Sequence, residues 1–242
     1  MNPGCSARQL VAAATLAALL AASGSLHARG QLQTRQTGVD MPAGARAGRL
    51  VLANSGDAPV AAQIRVYVWT QEDGEDRLEP AHDLVVSPAI VEIPAAGEQL
   101  IRVVRPNASA PERERAYRVV VDELPSDTDR AENAVAVRMR FLIPAFIRAA
   151  DPAPADLQCR IAIGTLVCDN RGGRAAQLGA TDLLDAAGNS LQVSPGLLGY
   201  VLAGSSRSWP LPAQGLATLG APRTLEVLLN GQSARIALRA EH

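Results

Sequence analysis

Val135-Ala136-Val137-Arg138-Met139-Arg140-Phe141-Leu142-Ile143-Pro144-Ala145-Phe146-Ile147 is the stretch whose reading decides the fold. Successive side chains of a strand point to opposite faces. The odd positions Val135, Val137, Met139, Phe141 and Ile143 then form one apolar row, while the even positions open with Ala136, Arg138 and Arg140. Alternation alone admits two readings. The row is the core side of an ordinary half-buried strand with solvated arginines, or it is a row offered to a partner.

The segments before it read the same way. Residues 49–54, 61–69, 84–88, 90–94, 99–105 and 117–124 are short apolar or alternating runs separated by Gly, Pro, Asp and Ser. In the second run, Ile64, Val66 and Val68 share a face. Residues 71–77 are acidic around Gly74 and read as a hairpin loop, and 126–133 reads as a polar loop. Beyond the quoted stretch, strands are expected within 157–169, 179–185, 206–210, 223–229 and 234–239. Short strands with turn signals every 8–12 residues indicate an all-β sandwich. No stretch after residue 28 reads as a helix. Asp151-Pro152-Ala153-Pro154-Ala155 has the composition of a stiff linker. It separates a first domain, 29–150, from a second, 156–242.

Composition narrows the function classes. A chain of 242 residues allows one or two domains, and 48% apolar with 19% charged residues excludes a disordered chain. Aromatic residues are 3%, too few for a base-stacking surface, and a net charge of −1 removes the electrostatic case for nucleic acid. The 23 basic residues are all arginine. His82 has no His or Cys at metal-ligand spacing, so no metal site is expected. Asp127, Asp129 and Glu132 lack the glycine of a calcium-loop turn. There is no G-x-S-x-G motif and no histidine placed to activate a serine. No catalytic residue, enzyme activity or cofactor is expected.

Arg8, the uncharged apolar run from Leu10 to Ala22, and the small residues up to Ala28 have the layout of a cleaved secretory signal over 1–28. The run is short for a membrane span of about 20 residues, so no stable membrane insertion is expected, although an N-terminal anchor is the alternative. Secretion exposes the two remaining cysteines to an oxidising compartment. A hairpin turning at Ile163-Gly164 places Cys159 opposite Cys168, where a cross-strand disulfide fits. Two free buried thiols are the alternative.

The chain resembles the periplasmic chaperones of the chaperone–usher pathway of pilus assembly, and more narrowly their archaic branch. The resemblance is carried by Arg65-Val66-Tyr67-Val68-Trp69, by Leu84 to Pro88, and by Ile93 to Arg102. Tyr117 to Pro125 and Leu142 to Ile147 complete it. It covers the first domain well and the second in outline. It implies two immunoglobulin-like β-sandwich domains set as an L around a cleft. It also implies pilin subunits and an outer-membrane usher as partners, a periplasmic location, and donor-strand complementation as the mechanism. A subunit lacking its last strand exposes an apolar groove and unpaired edges, and the chaperone fills that gap with a strand of its own. The donor row would be Val135, Val137, Met139, Phe141 and Ile143. An open apolar edge also leaves room for self-association of the free protein. The competing class is a secreted immunoglobulin-like adhesive or cell-envelope structural protein; a secreted hydrolase would need a polar cluster that the sequence lacks.

The resemblance further implies an anchor for the subunit's terminal carboxylate. The better-known branch uses an arginine on the first strand and a lysine at the end of the donor strand. Those positions align with Gly38 and Pro144, so that pair is absent. A hairpin from Tyr117 to Ile147 brings Arg118 opposite a residue near 143, pointing away from Tyr117, Val119 and Val121. Arg118 is the expected anchor and Arg102 a helper, since a guanidinium grips a carboxylate through two hydrogen bonds. The alternatives are an ion pair of Arg118 with Asp122 or Glu123, and a structural role for Arg102.

Overall fold

The computed structural model describes residues 30–107, 109–125 and 137–239. The expected signal segment 1–28, Val135 and the acidic residues Asp127, Asp129 and Glu132 lie outside the described residues.

The fold is all-β, two immunoglobulin-like sandwiches in sequence. In the first, β1 (Leu32–Thr34), β3 (Ala47–Asn54), β8 (Glu98–Val104) and β6 (Val85–Ser87) form one sheet in that order. The facing sheet runs β2 (Val39–Met41), β10 (Arg140–Ile147), β9 (Arg115–Glu123), β4 (Val60–Glu72), β5 (Glu75–Pro80), with β7 (Ile90–Ile93) also on β4. Period-2 alternation builds the core between them. Leu50, Leu52, Ile101 and Val103 come from one sheet and Ile64, Tyr117, Val119, Val121 and Ile143 from the other, all buried. Arg105 is buried at the end of this core. Its guanidinium donates to the carbonyls of Ala43, Ala45 and Ser109, which ties two loops together.

The second sandwich pairs β11 (Leu157–Ala162), β12 (Thr165–Asn170) and β16 (Ser206–Pro210) against a sheet of β14 (Ser190–Ser194), β13 (Ala176–Asp185), β17 (Pro222–Leu229) and β18 (Gln232–Ala237). The short β15 (Gly199–Val201) also pairs with β13. Leu166, Leu178, Leu183 and Leu225 fill the space between. Cys159 and Cys168 face each other across β11 and β12 and are joined by a disulfide. The intervening turn is Ile163-Gly164, both at positive φ as a tight two-residue hairpin requires.

Three features depart from the sequence reading. Residues 71–77 are not a loop: β4 runs to Glu72, turns at Asp73-Gly74 with positive φ at both, and returns as β5. Asp-Gly is a strong two-residue hairpin signal, but β5 is exposed along its whole length and shows no alternation. A short helix, α1 (Ala213–Thr218), was not expected; it has no side-chain cap and buries no residue, so it has no amphipathic signature. The quoted stretch enters its sheet only at Arg140, and Val137 to Met139 precede the strand.

The two sandwiches are fastened together. Trp69, Ala116, Phe146, Ala175 and Leu202 form a buried apolar cluster drawn from both, with Tyr200 packed against it. Gln71 is fully used at this junction: its side-chain amide donates to the Tyr200 carbonyl at 2.8 Å and to Asp76 Oδ1 at 2.9 Å, and accepts from the Leu202 N–H at 2.9 Å. The Asp73-Gly74 turn reaches the second sandwich, where the Ser208 N–H donates to the Gly74 carbonyl at 3.1 Å. A side chain at Gly74 would come within 2.5 Å of Ser208 Oγ.

Candidate functional site

Among the described residues, β10 is paired on one side along its whole length and on the other only at its end. Antiparallel β9 covers Arg140 to Ile147, whereas parallel β2 meets only Ala145, Phe146 and Ile147. The Glu123 N–H donates to the Met139 carbonyl. Alternation of the ladder then directs the polar backbone of Phe141 and Ile143 at β9 and that of Arg140 and Leu142 at the open side. Pro144 also faces away from β9, so its missing N–H costs the ladder nothing.

The apolar row changes character along this edge. Ile143 is 4% exposed and belongs to the core of its own sandwich. Phe141 is half-buried and packs on that core. Met139 is 41% and Val137 77% exposed. The core-stripe reading therefore holds for Ile143 and Phe141, while Met139 and Val137, ahead of the strand, lie on the surface. The side chain of Ile143 is committed to its own domain, and among the described residues of the row Met139 and Val137 are the exposed ones. Leu142, on the opposite face, is also exposed.

Arg118 stands opposite Pro144, next to 143 as the hairpin expectation placed it. The register pairs the core residue Ile143 with Val119, so Arg118 and Ile143 are on opposite faces. On its outward face Arg118 lies across the Trp69 ring, with Cζ 3.5 Å from the ring centroid, and 5.4 Å from the centroid of Tyr200. Its Nη1 donates to the Leu142 carbonyl at 3.3 Å, at the open side of β10. The ion-pair alternative is not realised. Asp122 is held by Arg65 and Arg140, and Glu123 accepts the Met139 N–H. No carboxylate lies within ion-pair distance of Arg118 among the described residues. Burial lowers its pKa from the ordinary arginine value, opposed by the charges of Asp76 and Tyr200.

Arg102 is elsewhere. It is exposed on β8, in the other sheet, directly across from Arg49. The structure does not bring Arg102 and Arg118 together.

Gly38 and Pro144 do meet. A Cβ at Gly38 would lie 3.4 Å from the Pro144 carbonyl oxygen. Both line a cleft of about 260 Å³ between the sandwiches, together with Phe146, Arg148, Tyr200 and Asn230. Arg148 is the cation there, but it is engaged by Asp40 at 2.6 Å and by Glu114. Glu114 is buried and also accepts the Ala175 N–H at 2.8 Å. Burial raises its pKa, and the Ala175 hydrogen bond and Arg148 pull the other way. Among the described residues no group of His, Cys, Asp and Glu is arranged to hold a metal ion, and no helix is long and apolar enough to cross a membrane.

Residues 31–152 match the family model of the pilus and flagellar-assembly chaperones, in its PapD N-terminal domain. The chain belongs to this chaperone family. Solved structures of such chaperones share the two-domain fold. A chain of the CsuC–CsuE chaperone–tip adhesion subunit pre-assembly complex, from archaic Csu pili of Acinetobacter baumannii, is 21% identical with a TM-score of 0.66, over 88% of this chain and 100% of that one. The Pseudomonas aeruginosa CupB2 chaperone is 20% identical with a TM-score of 0.61, over 86% of this chain and 100% of that one. The E. coli chaperone DraB is 20% identical with a TM-score of 0.60, over 88% and 98%. Among curated protein sequences none matches.

The sequence reading assigned no site role to Trp69, Tyr200 or Gln71. For Trp69 a signal exists: with Ile64, Val66 and Val68 on the core face, alternation puts Tyr67 and Trp69 outside, and a large outward indole needs a cover. Tyr200 lies on the three-residue strand β15, too short for any periodicity.

Proposed function

We propose that this chaperone captures pilus subunits in the periplasm by donor-strand complementation and passes them to an outer-membrane usher. It acts as a binding protein without catalysis. The observation that carries the reading is one arrangement among the described residues: a strand unpaired on one side before Ala145, approached by the exposed Val137 and Met139, and ending beside a half-buried guanidinium with no carboxylate partner. A subunit missing its last strand presents the complement, an apolar groove with unpaired backbone. Its chain would pair with the open side of β10, Val137 and Met139 would enter the groove with Phe141 at its margin, and its terminal carboxylate would meet Arg118. Each Val- or Met-sized side chain buried contributes about 1.5–3 kcal/mol before the cost of association. An unpaired, partly buried cation is an incomplete site, and an arriving carboxylate completes it with charge-assisted hydrogen bonds.

Secretion into the periplasm rests on the signal-like residues 1–28. The test is co-expression with pilin-type subunits, followed by co-purification and quantification of soluble subunit. A one-to-one complex is expected, with Arg118→Ala lowering subunit recovery. A chaperone that purifies alone beside aggregated subunit removes the reading, and undiminished recovery with Arg118→Ala removes the anchor.

A further inference from the structure

The Arg118 guanidinium is bounded by aromatic rings from both sandwiches. Trp69 of β4 supplies the surface on which it lies, and Tyr200 of β15 stands at its side. The two rings meet edge to face, with centroids 5.4 Å apart at 80°. An arginine side chain has many rotamers, and a ring on one face alone leaves it free to slide. The Tyr200 ring removes that freedom, and the Leu142 carbonyl takes one N–H. With one N–H on the Leu142 carbonyl, the other N–H groups have no acceptor among the described residues, and a guanidinium can offer two parallel N–H groups to two carboxylate oxygens.

Tyr200 is itself held rigidly. Its carbonyl accepts from Gln71, and Leu202 returns an N–H to the same side chain. β15 is pressed onto its own core, since a Cβ at Gly199 would lie 3.2 Å from the Trp209 ring. Asp76, the acidic neighbour of Arg118, is occupied by Gln71 and by Arg207. We infer that Tyr200 is a positioning residue for the carboxylate anchor, so that the anchor on the first sandwich is complete only when the second is docked against it. The inference rests on the assignment of Arg118 made above and adds a residue from the other domain to it. Domain docking and subunit capture would then be coupled through one tyrosine ring.

The test compares a peptide copying the last strand of a captured subunit, as free acid and as C-terminal amide. Affinities are measured for the unaltered chaperone, Arg118→Ala, Tyr200→Leu and Tyr200→Phe, with melting curves for each. The unaltered protein should prefer the free acid. Tyr200→Leu should reduce that preference roughly tenfold and leave affinity for the amide unchanged, as expected for loss of a partly desolvated ring–cation contact. Tyr200→Phe keeps the ring and should keep the preference. If Tyr200→Leu does not fold, Gln71→Met, which unties β15 but leaves both rings, carries the same expectation. Full preference in Tyr200→Leu or Gln71→Met, alongside its loss in Arg118→Ala, overturns the role of Tyr200 and leaves Arg118 standing. Loss of preference in Tyr200→Phe overturns the ring in favour of the hydroxyl. Equal binding of acid and amide by the unaltered protein, or an unchanged preference in Arg118→Ala, overturns the anchor and this inference with it.

Discussion

Replacing Val137 and Met139 together by arginine separates capture from folding. Neither side chain is in the core of its own sandwich: they are 77% and 41% exposed, and neither lies within a strand. Exposed substitutions away from packing features usually change stability by less than about 0.5 kcal/mol, so the melting temperature should hardly move. In the proposed complex both side chains would enter an apolar groove. At about 1.5–3 kcal/mol each, their loss removes roughly 3–6 kcal/mol of binding, or about two to four orders of magnitude in affinity. Two guanidinium groups forced into that groove add a desolvation cost on top. The assay is recovery of soluble subunit on co-expression, with circular dichroism and thermal melting of the purified variant. Phe141 is left untouched because it packs on the core, and its replacement would mix lost binding with lost stability. Ile143→Arg serves as the contrast, since a charge at a 4% exposed core position should unfold the domain. A Val137→Arg, Met139→Arg protein that still delivers soluble subunit at the unaltered level refutes the donor-edge assignment.

Two further outcomes concern stability. Cys159→Ser opens the cross-strand disulfide between β11 and β12 and should lower the stability of the second sandwich by about 2–4 kcal/mol, read from urea melts against the unaltered protein in oxidising buffer. Asp122 lies between Arg65, at 2.5 Å, and Arg140. Burial pulls its carboxyl upward, but the hydrogen bonds and charges of those arginines prevail and hold it below the ordinary aspartate value. A depressed folded pKa gives stability that is complete above the unfolded value of about 3.9 and is lost as pH falls through the folded value. Asp122→Asn should therefore be less stable than the unaltered protein at neutral pH, and the difference should shrink in urea melts below about pH 4. A constant difference across that range excludes the linkage.

Long alternating strands were legible, and the contacts between domains were not. Tyr117, Val119 and Val121 announce the core face of β9 by spacing alone, which leaves Arg118 outward. The Cys159–Cys168 pairing follows from a Gly at the centre of a short hairpin. The limits are physical too. β1, β2 and β15, three residues each, are too short to complete two periods, and β5 has no buried face to set against an exposed one. The apolar row from Val137 to Ile143 shows no internal break in sequence, because a core-facing Ile and an exposed Val look alike to a period of two. What divides them is how far their own sandwich covers the strand. Tyr200 reaches Trp69 across a sequence separation that no local pattern can register.

The neutral pair Gly38 and Pro144 acquires a reason once the register is known. In an antiparallel ladder, the residue opposite Pro144 has its side chain on the same face and close by, and that residue is Arg118. Moving the cation from the end of β10 to the facing position on β9 keeps a positive group at the end of the open edge. It also frees position 144 for proline, which ends the run of outward N–H groups there. The long arginine side chain covers the added distance, as its bond to the Leu142 carbonyl records. It lies on Trp69 with no carboxylate paired to it among the described residues, which is the state the proposed anchor requires. Arg148 carries the same charge and lines the cleft, yet Asp40 and Glu114 already neutralise it. Both arginines lie against an aromatic ring, Arg148 beside Phe146 and Arg118 on Trp69; what distinguishes them among the described residues is that Arg148 has two carboxylate partners and Arg118 has none.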